Sequence, residues 1–137
     1  MKPVFLVFLS FILSSAALAQ SRQQQKVDSV FILVKKYFNI KNADAIYNLA
    51  GADFQKELTI DAFNNVANKQ LFPLGEIKES SLISFVNNSV ATYKLKFASV
   101  TLQLLMSLDK KDKLSLFLFQ DQVVGGRCRS LSLQYWP

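Results

Sequence analysis

An α+β domain, with about three N-terminal helices packed on a four-stranded antiparallel meander, is what this sequence predicts. Three observations predict it. Apolar residues recur with a period of 3.6 from Val27 to Ala67. They recur with a period of 2 from Ile77 to Phe119. The joins between the later segments are of hairpin length, which forces neighbouring strands to run antiparallel. A sheet that is apolar on one face needs a cover, and the helices supply it.

Val27, Val30, Phe31, Val34 and Phe38 form the stripe of an amphipathic helix over residues 26–39, with Lys35, Lys36 and Asn39 off it. Asn42 caps a second helix, with Ile46, Leu49 and Ala50 inward and Gly51 just past its end. Thr59 caps a third, whose stripe is Phe63, Val66 and Ala67. Phe54 and Leu58 belong to a short turn between these two. Pro73 and Gly75 punctuate the change to strands. Strands are expected over 77–86, 90–98 and 100–108, joined by turns at Asn87-Asn88 and, after the third, at Asp109 to Asp112. In the fourth, Leu114, Leu116 and Leu118 alternate with Phe117 and Phe119 opposite.

Strands three and four thus carry apolar residues on both faces: Leu105 beside Leu104, and Phe117 and Phe119 beside Leu118. A sheet with one wet face has no need of them. The second face either curls around a pocket or packs on another domain or subunit. Leu105, Phe117 and Phe119 are therefore the candidates for an interaction face.

The chain begins with an export signal. Met1-Lys2-Pro3 carries one positive charge, Val4 to Leu13 is apolar apart from Ser10, and Ala17-Leu18-Ala19 forms an A-x-A cleavage site before Gln20. The apolar run is about 10 residues, where a membrane span needs about 20. Ala17, Ala19 and Gln20 therefore mark cleavage, and the mature chain is expected to be periplasmic or extracellular, with no membrane segment. Residues 20–25 form a polar leader, the domain covers 26–121, and 122–137 form an irregular tail.

Composition removes several chemistries. The chain has no histidine, which excludes Ser-His-Asp and Cys-His catalysis and His-ligated zinc. Its single cysteine, Cys128, rules out an internal disulfide. No metal or cofactor is implied. The formal charge is +6, and +5 once Lys2 leaves with the signal. The lysines are spread rather than clustered with aromatics, so no nucleic-acid partner is expected.

Several segments resemble a known family. They are Val34-Lys35-Lys36-Tyr37-Phe38-Asn39, Lys41-Asn42-Ala43-Asp44-Ala45-Ile46-Tyr47, Leu71-Phe72-Pro73-Leu74-Gly75-Glu76-Ile77, Tyr93-Lys94, Leu108-Asp109 and Phe117-Leu118-Phe119-Gln120. They resemble the nuclear transport factor 2-like, or cystatin-like, domain of unknown function that leads exported serine hydrolases of bacteria, especially Bacteroidetes. The resemblance spans Lys26 to Gln120. It implies a curved antiparallel sheet wrapped against the N-terminal helix, in a non-catalytic domain preceding a β-lactamase-like or α/β-hydrolase domain. The tail departs from that pattern. It holds the only Cys, the only Trp and every arginine but Arg22, and no Gly-x-Ser-x-Gly motif occurs in the chain.

Folds of this type form a conical pocket between sheet and helices. Tyr37, Asp44, Tyr47, Asp53, Phe54 and Tyr93 are the candidates to line it. An enzyme built there would need Asp44 or Asp53 buried, with a raised pKa. The plainer role for Asp44 is a favourable charge at a helix N-terminus. Three functions follow. The first is an exported, non-catalytic binding domain, with a second copy, a hydrolase domain or a small apolar ligand as partner. The second is a remnant of an exported serine hydrolase that has lost its catalytic domain. The third is a small pocket enzyme using Asp44 or Asp53.

Overall fold

Val27, Phe31, Val34 and Phe38 fall on one stripe because residues three and four apart share a helix face, and that stripe is buried. The computed structural model describes residues 4–121, with side chains from Arg22 onward. Its first helix, α1, is Val4–Asn39. The helix expected over 26–39 is thus the second part of a longer one, and the polar leader 20–25 continues it. Gln23, Gln24, Gln25 and Lys26 are straight-chain residues that lose little freedom in a helix, which is why polarity alone does not break it. Residues 1–3 and the tail 122–137 with Cys128 lie outside the described residues.

Helix α1 closes in a Schellman motif. Lys41 takes a left-handed φ of 56°, and the N–H groups of Asn42 and Lys41 donate to the carbonyls of Tyr37 and Phe38 at 2.9 and 3.0 Å. Helix α2, Ala43–Tyr47, is capped by Asn42, whose Oδ1 accepts from the Ala45 N–H at 3.0 Å. Helix α3, Ala52–Glu57, replaces the short turn expected around Phe54. Gly51 is its N-cap, so this glycine begins a helix rather than ending one. The domain therefore has four α-helices among its described residues, one more than expected, because a six-residue helix with one buried aromatic is too short to show a period. Helix α4, Ile60–Val66, is capped by Thr59, whose hydroxyl accepts from the Ala62 N–H at 3.3 Å. The chain then widens into a π-helical turn over Ala67–Leu71, tightens into a 3₁₀ turn over Phe72–Leu74, and leaves through Gly75 at φ 86°.

Four strands follow: β1 Glu79–Val86, β2 Val90–Lys96, β3 Thr101–Leu108 and β4 Leu114–Asp121. They pair antiparallel in chain order as an open meander. β1 begins two residues later than the alternation suggests. The Asn39 side chain takes both backbone groups of Ile77, accepting from its N–H at 2.9 Å and donating to its carbonyl at 3.4 Å. β2 stops at Lys96 and β3 starts at Thr101 because Phe97 and Val100 close the turn between them, N–H to carbonyl at 2.9 Å. Asn87 and Asn88 both adopt positive φ, at 52° and 51°, as a type I′ hairpin requires.

The helices cover one face of this sheet. Tyr93, Leu95, Leu104, Met106, Leu114 and Phe119 point into the core. Phe38 is the hub, with its ring 5.5 Å from Phe72, 5.7 Å from Phe97 and 6.0 Å from Phe119. The start of β4 is also stitched to the α2–α3 link. Gly51 N–H donates to the Leu114 carbonyl at 2.8 Å, and Leu114 N–H donates to the Leu49 carbonyl at 2.9 Å. The result is a parallel bridge between Ala50 and Leu114.

Candidate functional site

The register of β3 and β4 reverses one expectation. Leu104 pairs with Phe119, Leu105 with Leu118, Met106 with Phe117 and Ser107 with Leu116, but Leu108 pairs with Leu114. Ser115 is the extra residue of a bulge, and its hydroxyl lies 2.8 Å from that of Ser107. Strict alternation would put Leu114, Leu116 and Leu118 on one face. The bulge instead lets Leu114 face the core together with Phe117 and Phe119. Phe119 is buried against Phe38, and Phe117 stands 6.2 Å from Phe63 of α4. Of the three interaction-face candidates, only Leu105 lies on the outer face. Its true neighbours there are Leu116 and Leu118.

That outer face is divided. One half is apolar: Leu105, Leu116 and Leu118 are half-buried, Val90 pairs across the row from Ser107, and Val86 beside Val90 is 48% exposed. The other half carries Lys94, Lys96, Gln103 and Gln120, with Lys96 donating to Glu79 at 2.9 Å and Gln120 to Gln103 at 3.0 Å. The buried cluster under the helices lies on the opposite face.

The six pocket candidates do not converge on one point. Tyr47 and Phe54 do meet, each against Phe63, at 5.7 and 6.4 Å between rings. The Tyr47 hydroxyl is already committed, donating to the Leu58 carbonyl at 2.8 Å. Asp44 is exposed in the first turn of α2, where its carboxylate accepts from Asn64 Nδ2 at 2.7 Å. Asp53 is exposed and faces Lys56 at 3.5 Å. The acid–base pair that either was to supply is therefore not assembled, because both point to water rather than to an apolar cavity. Tyr37 is half-buried on α1.

Tyr93 stands apart and is the most perturbed group among the described residues. Its hydroxyl donates to Asp28 Oδ1 at 2.5 Å, and its ring stacks on Phe31 at 3.8 Å with a 6° interplanar angle. Burial, then the hydrogen bond to Asp28 and the charge of that carboxylate, hold the phenol protonated far above its ordinary range. So fixed, the phenol is a hydrogen-bond donor and not a base. Asp28 escapes a reading by stripe because it sits between the buried positions Val27 and Phe31. Its signal was a lone acid beside a buried helix face. Lys35 and Asn39 continue the same flank of α1, with Lys35 Nζ donating to Ser80 Oγ at 3.1 Å. Asp28, Lys35 and Asn39 thus form a polar seam along the side of α1 toward β1 and β2.

One Ser-x-x-Lys spacing occurs, Ser107-Leu108-Asp109-Lys110. Ser107 lies on β3 and Lys110 is exposed in the following turn, with the serine hydroxyl paired to Ser115. No cluster of three or more acidic, cysteine or histidine side chains fit to hold a metal ion occurs among the described residues. No helix among them is long and apolar enough to cross a membrane. No family model matches this chain, and no curated protein or solved structure matches it either.

Proposed function

We propose that this chain is an exported, non-catalytic interaction domain that binds a protein partner through the apolar half of its outer sheet face. The observation that carries the proposal is the cluster of Leu105, Leu116 and Leu118 with Val90 and Val86, on the face turned away from the helices. Apolar patches of this kind on one face of an open sheet mark contact surfaces. The resemblance to the leading domain of exported serine hydrolases supports the same reading, and with it a curved nuclear transport factor 2-like sheet. It makes a hydrolase domain or a second copy the natural partner.

Light scattering on the mature chain tests this. A mass above the monomer, reduced to the monomer by Leu118→Asp, is the expected result. A strict monomer with nothing bound overturns a second copy as the partner. The variant is informative because Leu118 lies on the outer face, where a polar substitution costs the fold less than it does in the core. Leu104→Asp, on the buried face, should unfold the domain outright.

A further inference from the structure

We infer that the mature protein carries a pyroglutamate at Gln20, a modification formed by the chain itself after export. The inference rests on the export reading, and in particular on cleavage between Ala19 and Gln20. Cleavage there leaves glutamine as the first residue, with a free α-amine. That amine has a reference pKa of about 8, so a fraction is unprotonated near neutral pH. The reaction balances without a co-reactant. The α-amino nitrogen attacks the side-chain amide carbon, a new C–N bond closes a five-membered lactam, the old amide C–N bond breaks, and ammonia leaves with the transferred proton. Nothing is oxidised or reduced.

The structure supplies the reason the product suits this site. Helix α1 runs without interruption through residue 20 to Asn39. Cutting at Ala19 therefore places a new terminal charge at the head of a helix that begins at the cut. A protonated amine there opposes the positive end of the helix dipole. The lactam is neutral and removes that repulsion. The first N–H groups of a helix have no internal partner, so a ring at this position breaks no helical hydrogen bond. No acidic residue stands in the chain before Asp28 to offset the amine.

The test is to export the full chain from cells that process its own signal, then to measure intact mass and attempt Edman sequencing. The expected product has the mass of residues 20–137 less one ammonia, and is blocked to Edman degradation. Pyroglutamate aminopeptidase should unblock it and expose Ser21. Gln20→Ala should be cut at the same bond and read directly. A product of residues 20–137 whose amine remains open after prolonged incubation overturns the inference while leaving export intact. Cleavage at another bond does the same. A chain that retains Met1 overturns both.

Discussion

Gly51→Ala probes a tight junction between the α2–α3 link and the turn before β4. The backbone at Gly51 has φ −77°, which any residue adopts, so the effect is one of space alone. A methyl group there would lie inside van der Waals contact of Asp109 Oδ2, and 3.3 Å from Lys113 Cβ. The Asp109 carboxylate cannot simply swing away, because its Oδ1 accepts from the N–H groups of Lys111 and Lys113 at 2.7 and 3.0 Å. Relief therefore means giving up those two bonds, at about 1 kcal/mol each net, or shifting the bridge between Ala50 and Leu114. Overpacking of a fixed contact costs about 1–3 kcal/mol, so about 2 kcal/mol is the expected loss. For a domain of this size that is a fall of roughly 8–16 °C in Tm. Asp109→Ala should cost about the same 2 kcal/mol, since it surrenders the same two bonds. The double variant should cost little more than Asp109→Ala alone, leaving a coupling of about 2 kcal/mol. Urea unfolding followed by far-ultraviolet circular dichroism measures all three. Costs that add within about 0.5 kcal/mol would refute the contact between the methyl group and the carboxylate.

Tyr93 makes the fold sensitive to alkali. The folded state holds the phenolic proton to higher pH than the unfolded chain does, so the stabilisation is whole below pH of about 10 and is lost as pH rises beyond it; wild type should lose unfolding free energy above that pH faster than Tyr93→Phe, in urea titrations at stepped pH. Lys41→Gly should stabilise the domain by about 0.5–1 kcal/mol, because it relieves an L-residue held in the left-handed region at the end of α1; an unchanged or lower Tm would show that the Schellman closure carries no strain.

What was legible in the sequence was whatever is local. Asn42 and Thr59 cap helices where their side chains said they would, since an N-cap needs only the next three residues. The meander follows from alternation and short turns. What was not legible depends on cross-strand geometry. Ser115 looks like any alternating residue until its partner strand is placed beside it, and the bulge it makes moves Phe117 and Phe119 from the outer face to the core. Likewise, Asp28 gains meaning only when β2 brings Tyr93 against α1. The break at Ile77 is of the same kind. The apolar residue that was to open the strand leaves the ladder because a distant asparagine claims its backbone.

The bond from Lys26 to Asp112 spans 86 residues of chain, and the bridge from Ala50 to Leu114 crosses most of the domain as well. Such distant closures leave the cover of the sheet incomplete until the last strand arrives. Folding should therefore be late and all-or-none, slowed by the entropy of bringing remote segments together. During synthesis, α1 to α4 emerge well before β4 and must wait for it. On the export proposed above, a sheet that closes only with its final strand keeps the chain open for threading across a membrane until β4 is made.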